Sequence, residues 1–211
     1  MGGRVEPAEG KLQRAVGQHH GDLRRALLDA ALAMVGEGEA AGLTLRAVAR
    51  RAGVSAGAPY HHFVDKGALL AEVAREGFVA LGEVQAACAE ADPALRLAHM
   101  GAAYVRFALA HHTHYTVMFL TPPGQVGGPA GEALQGAAMA SFETLVAAIG
   151  GANPALPPGL ARQRALLAWG QAHGAVEVAR WAQHLSPDFD AEAFAVGVGR
   201  ACVGIARAPM G

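Results

Sequence analysis

The run Thr44-Leu45-Arg46-Ala47-Val48-Ala49-Arg50-Arg51-Ala52-Gly53-Val54-Ser55-Ala56-Gly57-Ala58-Pro59-Tyr60-His61-His62-Phe63-Val64-Asp65-Lys66 constrains the fold of this 211-residue chain more than any other segment. Thr44 stands where a helix N-cap belongs, and Leu45, Val48 and Ala49 recur at the spacing of one helix face. Gly53 supplies the left-handed backbone that ends such a helix. Ser55 is placed to cap a second helix, and Pro59 sits near its start, where a missing N–H costs least. Two short helices joined by a glycine-containing turn make a helix-turn-helix, whose second helix enters the major groove of DNA. The competing reading is a helical hairpin used only for packing.

The pattern Val54-Ser55-x-Gly57-Ala58-Pro59-Tyr60-x-His62-Phe63-x-x-Lys66 resembles the recognition segment of the TetR family of one-component transcriptional regulators. Residues 23 to about 75 fit that family's N-terminal DNA-binding domain. The resemblance implies that Thr44, Tyr60 and Lys66 position the protein on the DNA backbone. The residue types agree with this. Thr44 and Lys66 fall at helix N-termini, which attract phosphate, and Arg46, Arg50 and Arg51 add charge nearby. Ala56 and Gly57 are small enough to let the second helix sit deep in the groove. Tyr60, His61 and His62 project toward base edges or phosphates, although either histidine can instead pack beneath the first helix. Ala58 and Phe63 read as core. No Arg or Asn stands on the recognition face, so shape, phosphate and apolar contacts are expected to outweigh bidentate base readout.

The rest of the chain reads as helical. Residues 1–21 lack periodicity and are expected to form a flexible arm, with Arg4, Lys11 and Arg14 as its basic residues. Asp22 is placed to cap a first helix carrying Leu23, Leu27, Ala30, Ala31, Met34 and Val35, and Gly36, Gly38 and Gly42 loosen the chain after it. Asp65 is placed to cap a long helix with the stripe Leu70, Val73, Ala74, Gly77, Leu81, Val84 and Cys88. That helix leaves the helix-turn-helix domain, residues 22–68, and enters a second domain, residues 69–211. Further helices are expected over 93–111, 114–120, 132–149 and 159–184, with a last one carrying Phe194, Val198, Cys202 and Ile205. Loops fall at 121–131, 150–158 and 186–188. No segment alternates with period two. The fold class is therefore all-α, with about nine helices: a three-helix DNA-binding domain and a helical ligand-binding and dimerisation domain.

A single small helix-turn-helix makes few contacts, and two-fold dimers solve this by reading two half-sites. The last two long helices are the natural dimer surface, since two from each subunit build a four-helix bundle. Leu166, Leu167, Gly170, Gly174, Phe194, Val198, Ala201 and Ile205 are its candidates, about half of them expected to face the subunit's own core. Tyr104, Phe107, Met118, Phe119, Met139, Phe142, Trp169 and His173 mark a ligand pocket, with Tyr115 beside them; aromatics and Met at helical spacing suit an apolar molecule, or ordinary core. Trp169, His173 and Gly174 resemble the Trp-x-x-x-His-Gly signature of one C-terminal domain class of the same family, as does His114-Tyr115-x-x-Met118-Phe119. That resemblance implies ligand sensing and dimerisation. His173 alone reads as a ligand contact, a partner for a buried carboxylate or a core hydrogen-bond cap.

Composition sets the remaining bounds. The chain is 52% hydrophobic and 17% charged, which excludes general disorder. Residues 1–75 hold 10 Lys+Arg against 8 Asp+Glu, and the remainder 7 against 10, so a slightly basic head sits on an acidic body. Cys88 and Cys202 are far apart in apolar helical patterns and read as reduced thiols. No window of 18 uninterrupted apolar residues suggests a membrane span, and a cytoplasmic location is expected. The cluster His111, His112 and His114 lacks carboxylate or Cys partners in sequence reach, so no metal is expected. With no Gly-x-Ser-x-Gly, phosphate loop or paired carboxylates, an enzyme is not expected, nor a cofactor. The expected function is a ligand-responsive regulator, a repressor by family habit, released from palindromic double-stranded operator DNA by a small apolar molecule. The alternative is a helical adaptor that binds no operator.

Overall fold

The computed structural model describes residues 16–209; the basic arm positions Arg4, Lys11 and Arg14 lie outside them. Eight α-helices follow in order: α1 Val16–Gly36, α2 Leu45–Arg51, α3 Lys66–Ala86, α4 Pro93–Ala110, α5 His112–Leu120, α6 Gly128–Ala152, α7 Pro158–Leu185 and α8 Ala191–Arg207. Two 3-10 turns, Ala40–Gly42 and Ala58–His61, complete the described elements, and no strand occurs among the described residues. The all-α reading therefore holds.

Local chemistry sets the helix boundaries. Thr44 Oγ1 accepts the N–H of Ala47 at 3.1 Å and starts α2. Its end is a Schellman motif: Val54 N–H donates to Ala49 O, and Gly53 N–H to Arg50 O. Gly53 has φ +70°, which a side chain at that position would resist. Asp65 caps α3 through Ala68 N at 2.7 Å, Asp92 caps α4, and Asp190 caps α8 through Glu192 N and Ala193 N.

Several boundaries differ from the sequence expectation; α6, for one, runs on to Ala152 into the expected loop. Helix α1 begins at Val16, so Asp22 lies within it rather than capping it; once the amphipathic segment from Leu23 is helical, each further residue adds a hydrogen bond at little cost. Helices α5 and α6 begin earlier than expected, at His112 and Gly128. For α6, Pro129 stands in the first turn, where proline starts a helix as readily as it breaks one. The second helix of the helix-turn-helix is a single 3-10 turn. Pro59 has no N–H to reach Ser55 O, so the segment closes through Ala58 N–H to Ser55 O and Tyr60 N–H to Gly57 O instead. The N-cap of that turn is Gly57 with no side-chain bond, so Ser55 does not cap it.

A continuous apolar cluster joins head to body. It includes Leu27, Leu28, Leu43, Val48 and Phe63 of the head, Leu69 and Val73 of α3, and Val105, Tyr115 and Met118 of α4 and α5. A second cluster, with Leu97, Met100, Ile149, Ala165 and Cys202, fills the far end between α4, α6, α7 and α8. Helices α4 and α8 approach very closely at Gly101 and Gly199: a Cβ on Gly199 would meet Ala98 O at 2.0 Å. Helix α6 is long and apolar enough to cross a bilayer by length and composition, but it packs on α3, α7 and α4 and buries Gly131, Leu134, Ser141, Ala148 and Ile149 within the molecule. Cys88 and Cys202 are free thiols, the latter buried.

Candidate functional site

The head carries a set of exposed side chains around the helix-turn-helix. Thr44, Arg46, Arg50, Ser55, Ala56, Gly57, Tyr60, His61 and Lys66 are all exposed, and Tyr60 is 54% exposed despite its aromatic ring. Val64 beside them is 84% exposed. Arg51 turns away from this set and forms a fork of hydrogen bonds with Glu37 at the end of α1. His62 is half-buried, its ring 6.3 Å from that of Phe63, and so belongs to the underside of the turn more than to its face. Phe63 is buried, with the Arg24 guanidinium 5.6 Å above its ring. Pro59 is the buried residue of the turn, and Ala58 is half-buried.

Salt bridges fasten the head to α3. Glu72 lies between Arg24 of α1 at 2.9 Å and Arg75 of its own helix at 2.7 Å. Hydrogen bonding from Arg75, with Arg24 adding to it, holds the Glu72 carboxyl below the usual carboxylate range. Arg25 bridges Asp29 and Glu76 in the same way.

In the body, α3, α4, α5, α6 and α7 line an apolar cavity of about 520 Å³ that is open to solvent on one side. Tyr104, Met118, Phe119, Met139, Phe142 and Trp169 line it. Phe78, Leu81 and Gln85 of α3 form another wall, Met100 and Gly101 the α4 floor, and Pro122 and Pro123 part of the rim. Phe107 and His173 are not lining residues. Phe107 sits a turn beyond Tyr104, buried and 5.0 Å from the His111 ring. His173 stands a layer behind the wall.

A hydrogen-bond chain runs from the wall to His173. The Trp169 indole can only donate, and its Nε1 lies 3.2 Å from Tyr104 Oη. Tyr104 Oη is 3.2 Å from Tyr115 Oη, which is 2.6 Å from His173 Nδ1. The order Trp169 to Tyr104 to Tyr115 to His173 satisfies both hydroxyls as donor and acceptor, with an unprotonated Nδ1 as the last acceptor. Of the three sequence readings of His173, this is the core hydrogen-bond cap. The Phe119 ring stands edge-on to His173 at 4.4 Å. Burial pushes the Tyr104 hydroxyl up to about 12 and raises Tyr115 as well, so both stay protonated.

The proposed dimer residues divide. Leu166, Leu167, Gly170 and Gly174 are exposed on α7, and Leu166 also lines the cavity. On α8, Val198 is buried in the subunit's own core, while Phe194, Ala201 and Ile205 are half-buried. Sequence reasoning missed three members of the α7 stripe: Val178, Trp181 and Leu185 are 57%, 68% and 76% exposed. Their spacing from Leu167 through Gly170 and Gly174, three or four residues at each step, was the available signal. It likewise missed the cavity residues of α3 and the polar pair Gln85 and Ser141. Among the described residues no group of three His, Cys, Asp or Glu is arranged to hold a metal ion.

Residues 27–73 match the family described as bacterial regulatory proteins, tetR family, and residues 97–200 match the tetracyclin repressor-like C-terminal domain. No curated protein matches the chain significantly. Among solved structures, a protein of unknown function from Rhodococcus sp. RHA1 is 31% identical, covering 90% of this chain and 98% of its own, with a TM-score of 0.71. The TetR family regulator PfmR from Thermus thermophilus is 21% identical over 84% of this chain and 97% of its own, with a TM-score of 0.63. SmeT, solved as a complex with triclosan, is 18% identical over 85% and 90%, with a TM-score of 0.59. Taken with the exposed helix-turn-helix residues and the apolar cavity, these matches establish that the chain belongs to the TetR family and is a ligand-responsive, DNA-binding transcriptional regulator rather than an enzyme.

Proposed function

We propose that the protein is a cytoplasmic, homodimeric repressor that leaves a palindromic operator when a small apolar molecule fills the α3–α4–α5–α6–α7 cavity. One observation carries this reading: α3 serves both ends. Lys66 opens the helix on the DNA face, while Phe78, Leu81 and Gln85 of the same helix wall the cavity. At 1.5 Å per residue the span from Lys66 to Gln85 is about 28 Å of continuous rod. A ligand that shifts the far end of α3 moves the near end, and with it the spacing of two paired heads.

In this reading residues 22–68 are the DNA-binding domain and residues 69–211 the sensing and dimerising one. Thr44, Tyr60 and Lys66 hold phosphates, with Arg46, Ala56, Gly57, His61 and the half-buried His62 at or near the groove. Leu167, Gly170, Gly174, Val178, Trp181 and Leu185 form the dimer stripe of α7. The open glycines leave room for close helix approach, and the stripe is too apolar to remain in water as a monomer surface. That SmeT is solved with triclosan supports an apolar occupant for a cavity in the same fold.

The test is reciprocity. A compound that lowers operator affinity by a given factor must lose its own affinity by the same factor when operator duplex is added. Independence of the two binding reactions, measured by anisotropy and calorimetry on the same preparation, contradicts the scheme.

A further inference from the structure

The polar groups of the cavity wall are almost all committed to one another, and this limits what the cavity can accept. The Trp169 N–H is given to Tyr104. The Tyr104 proton has Tyr115 and His173 within 3.3 Å. Ser141 Oγ donates to Gln85 Oε1 at 2.9 Å. The Arg162 guanidinium bonds Glu143 at 2.5 Å, lies 5.2 Å over the Phe142 ring, and is about half-exposed at the mouth. What remains is the Gln85 amide nitrogen. Gln85 is 5% exposed and lines the cavity, and its carboxamide makes no further hydrogen bond among the described residues. Its two N–H donors meet no protein acceptor among the described residues, so water or an occupant of the cavity must supply one.

We propose that the cavity takes an uncharged, mostly apolar molecule carrying a hydrogen-bond acceptor, such as a carbonyl oxygen, which the Gln85 amide receives. The inference rests on the cavity being a ligand site. The wall argues for an uncharged occupant because Arg162 already has Glu143 beside it, leaving no unpaired cation for a carboxylate. It argues for an acceptor because a site built to donate a buried hydrogen bond discriminates against a molecule that cannot accept it. Ser141 contributes by holding Oε1, which turns the amide nitrogen toward the cavity.

Three probes of similar size separate these claims in calorimetric titrations of the intact protein: benzophenone, with a carbonyl; diphenylmethane, without one; and diphenylacetate, with a charge. Benzophenone is expected to bind about tenfold more tightly than either of the others, which corresponds to about 1.4 kcal/mol. Gln85→Met, close in shape, should remove that preference by weakening benzophenone alone. Ser141→Ala, which leaves the amide donors in place but frees the carboxamide to turn, should reduce the preference without abolishing it; unchanged helicity and unchanged diphenylmethane affinity show that each variant is folded. Equal affinity for benzophenone and diphenylmethane, a preference that survives Gln85→Met, or tightest binding of diphenylacetate overturns the proposal. Failure of all three probes to bind contradicts the ligand-site reading itself, and the proposal with it.

Discussion

The head and the cavity wall fix their side chains by opposite means. In the head, the backbone is set locally, by the Thr44 and Asp65 caps and the Gly53 turn, and Tyr60, His61 and Lys66 then stand free in solvent. In the body, the backbone is ordinary helix, and the side chains fix each other through Trp169, Tyr104, Tyr115 and His173. The difference separates function from stability. Tyr60, His61 and Lys66 make no side-chain hydrogen bond to the rest of the described residues, so replacing them should leave the fold intact. Replacing Tyr104 or Tyr115 takes a partner from the hydrogen-bond chain and should cost stability.

Substitutions should divide along the same line. The largest effect is expected in the body, at the α4–α8 crossing. Gly199→Ala puts a Cβ against the Ala98 carbonyl and should cost about 3 kcal/mol of stability in chemical denaturation. Next is alkaline pH. The Tyr104 hydroxyl is raised above its ordinary 10, to about 12, so the unfolded chain releases its proton first. Its contribution is complete below pH 10 and is lost as pH rises through 12, about 2–3 kcal/mol in all. Urea titrations should fall off across that window for the native chain and less steeply for Tyr104→Phe, in which the raised Tyr115 still contributes. In the head, Tyr60→Ala and Lys66→Ala should each weaken operator binding by about 2 kcal/mol while leaving the melting temperature in place. The smallest effect is Thr44→Ala, which removes a cap worth about 1 kcal/mol and so touches both stability and binding. A large stability loss at Tyr60 would break the comparison.

The same contrast explains what was legible in the sequence. The head is written in short-range signals, so Thr44, Gly53, Asp65 and the helix run could be read directly. The exceptions were Pro59, whose missing N–H tightens the expected recognition helix into a 3-10 turn, and Asp22 and Ser55, which do not cap the segments expected after them. The cavity is written in contacts between distant segments. Aromatics and Met at helical spacing drew attention to Tyr104, Met118, Phe119, Met139, Phe142 and Trp169, which line it. That spacing does not tell a lining residue from one a layer behind, and Phe107 and His173 stand off the cavity. Gln85 and Ser141 carried no local signal, because a polar residue in an apolar stripe gains meaning only from its partner 56 positions away. On α8 the four-residue stripe of Phe194, Val198 and Cys202 reads equally as interface or core, and tertiary packing turned Val198 and Cys202 inward.

The most direct test is a selection of DNA from randomised duplexes by the intact protein. The account predicts enrichment of a palindrome with two half-sites, and loss of that enrichment in a Tyr60→Ala, Lys66→Ala double variant whose unfolding curve matches that of the native chain. No enriched sequence, or the same palindrome from the double variant, would contradict it.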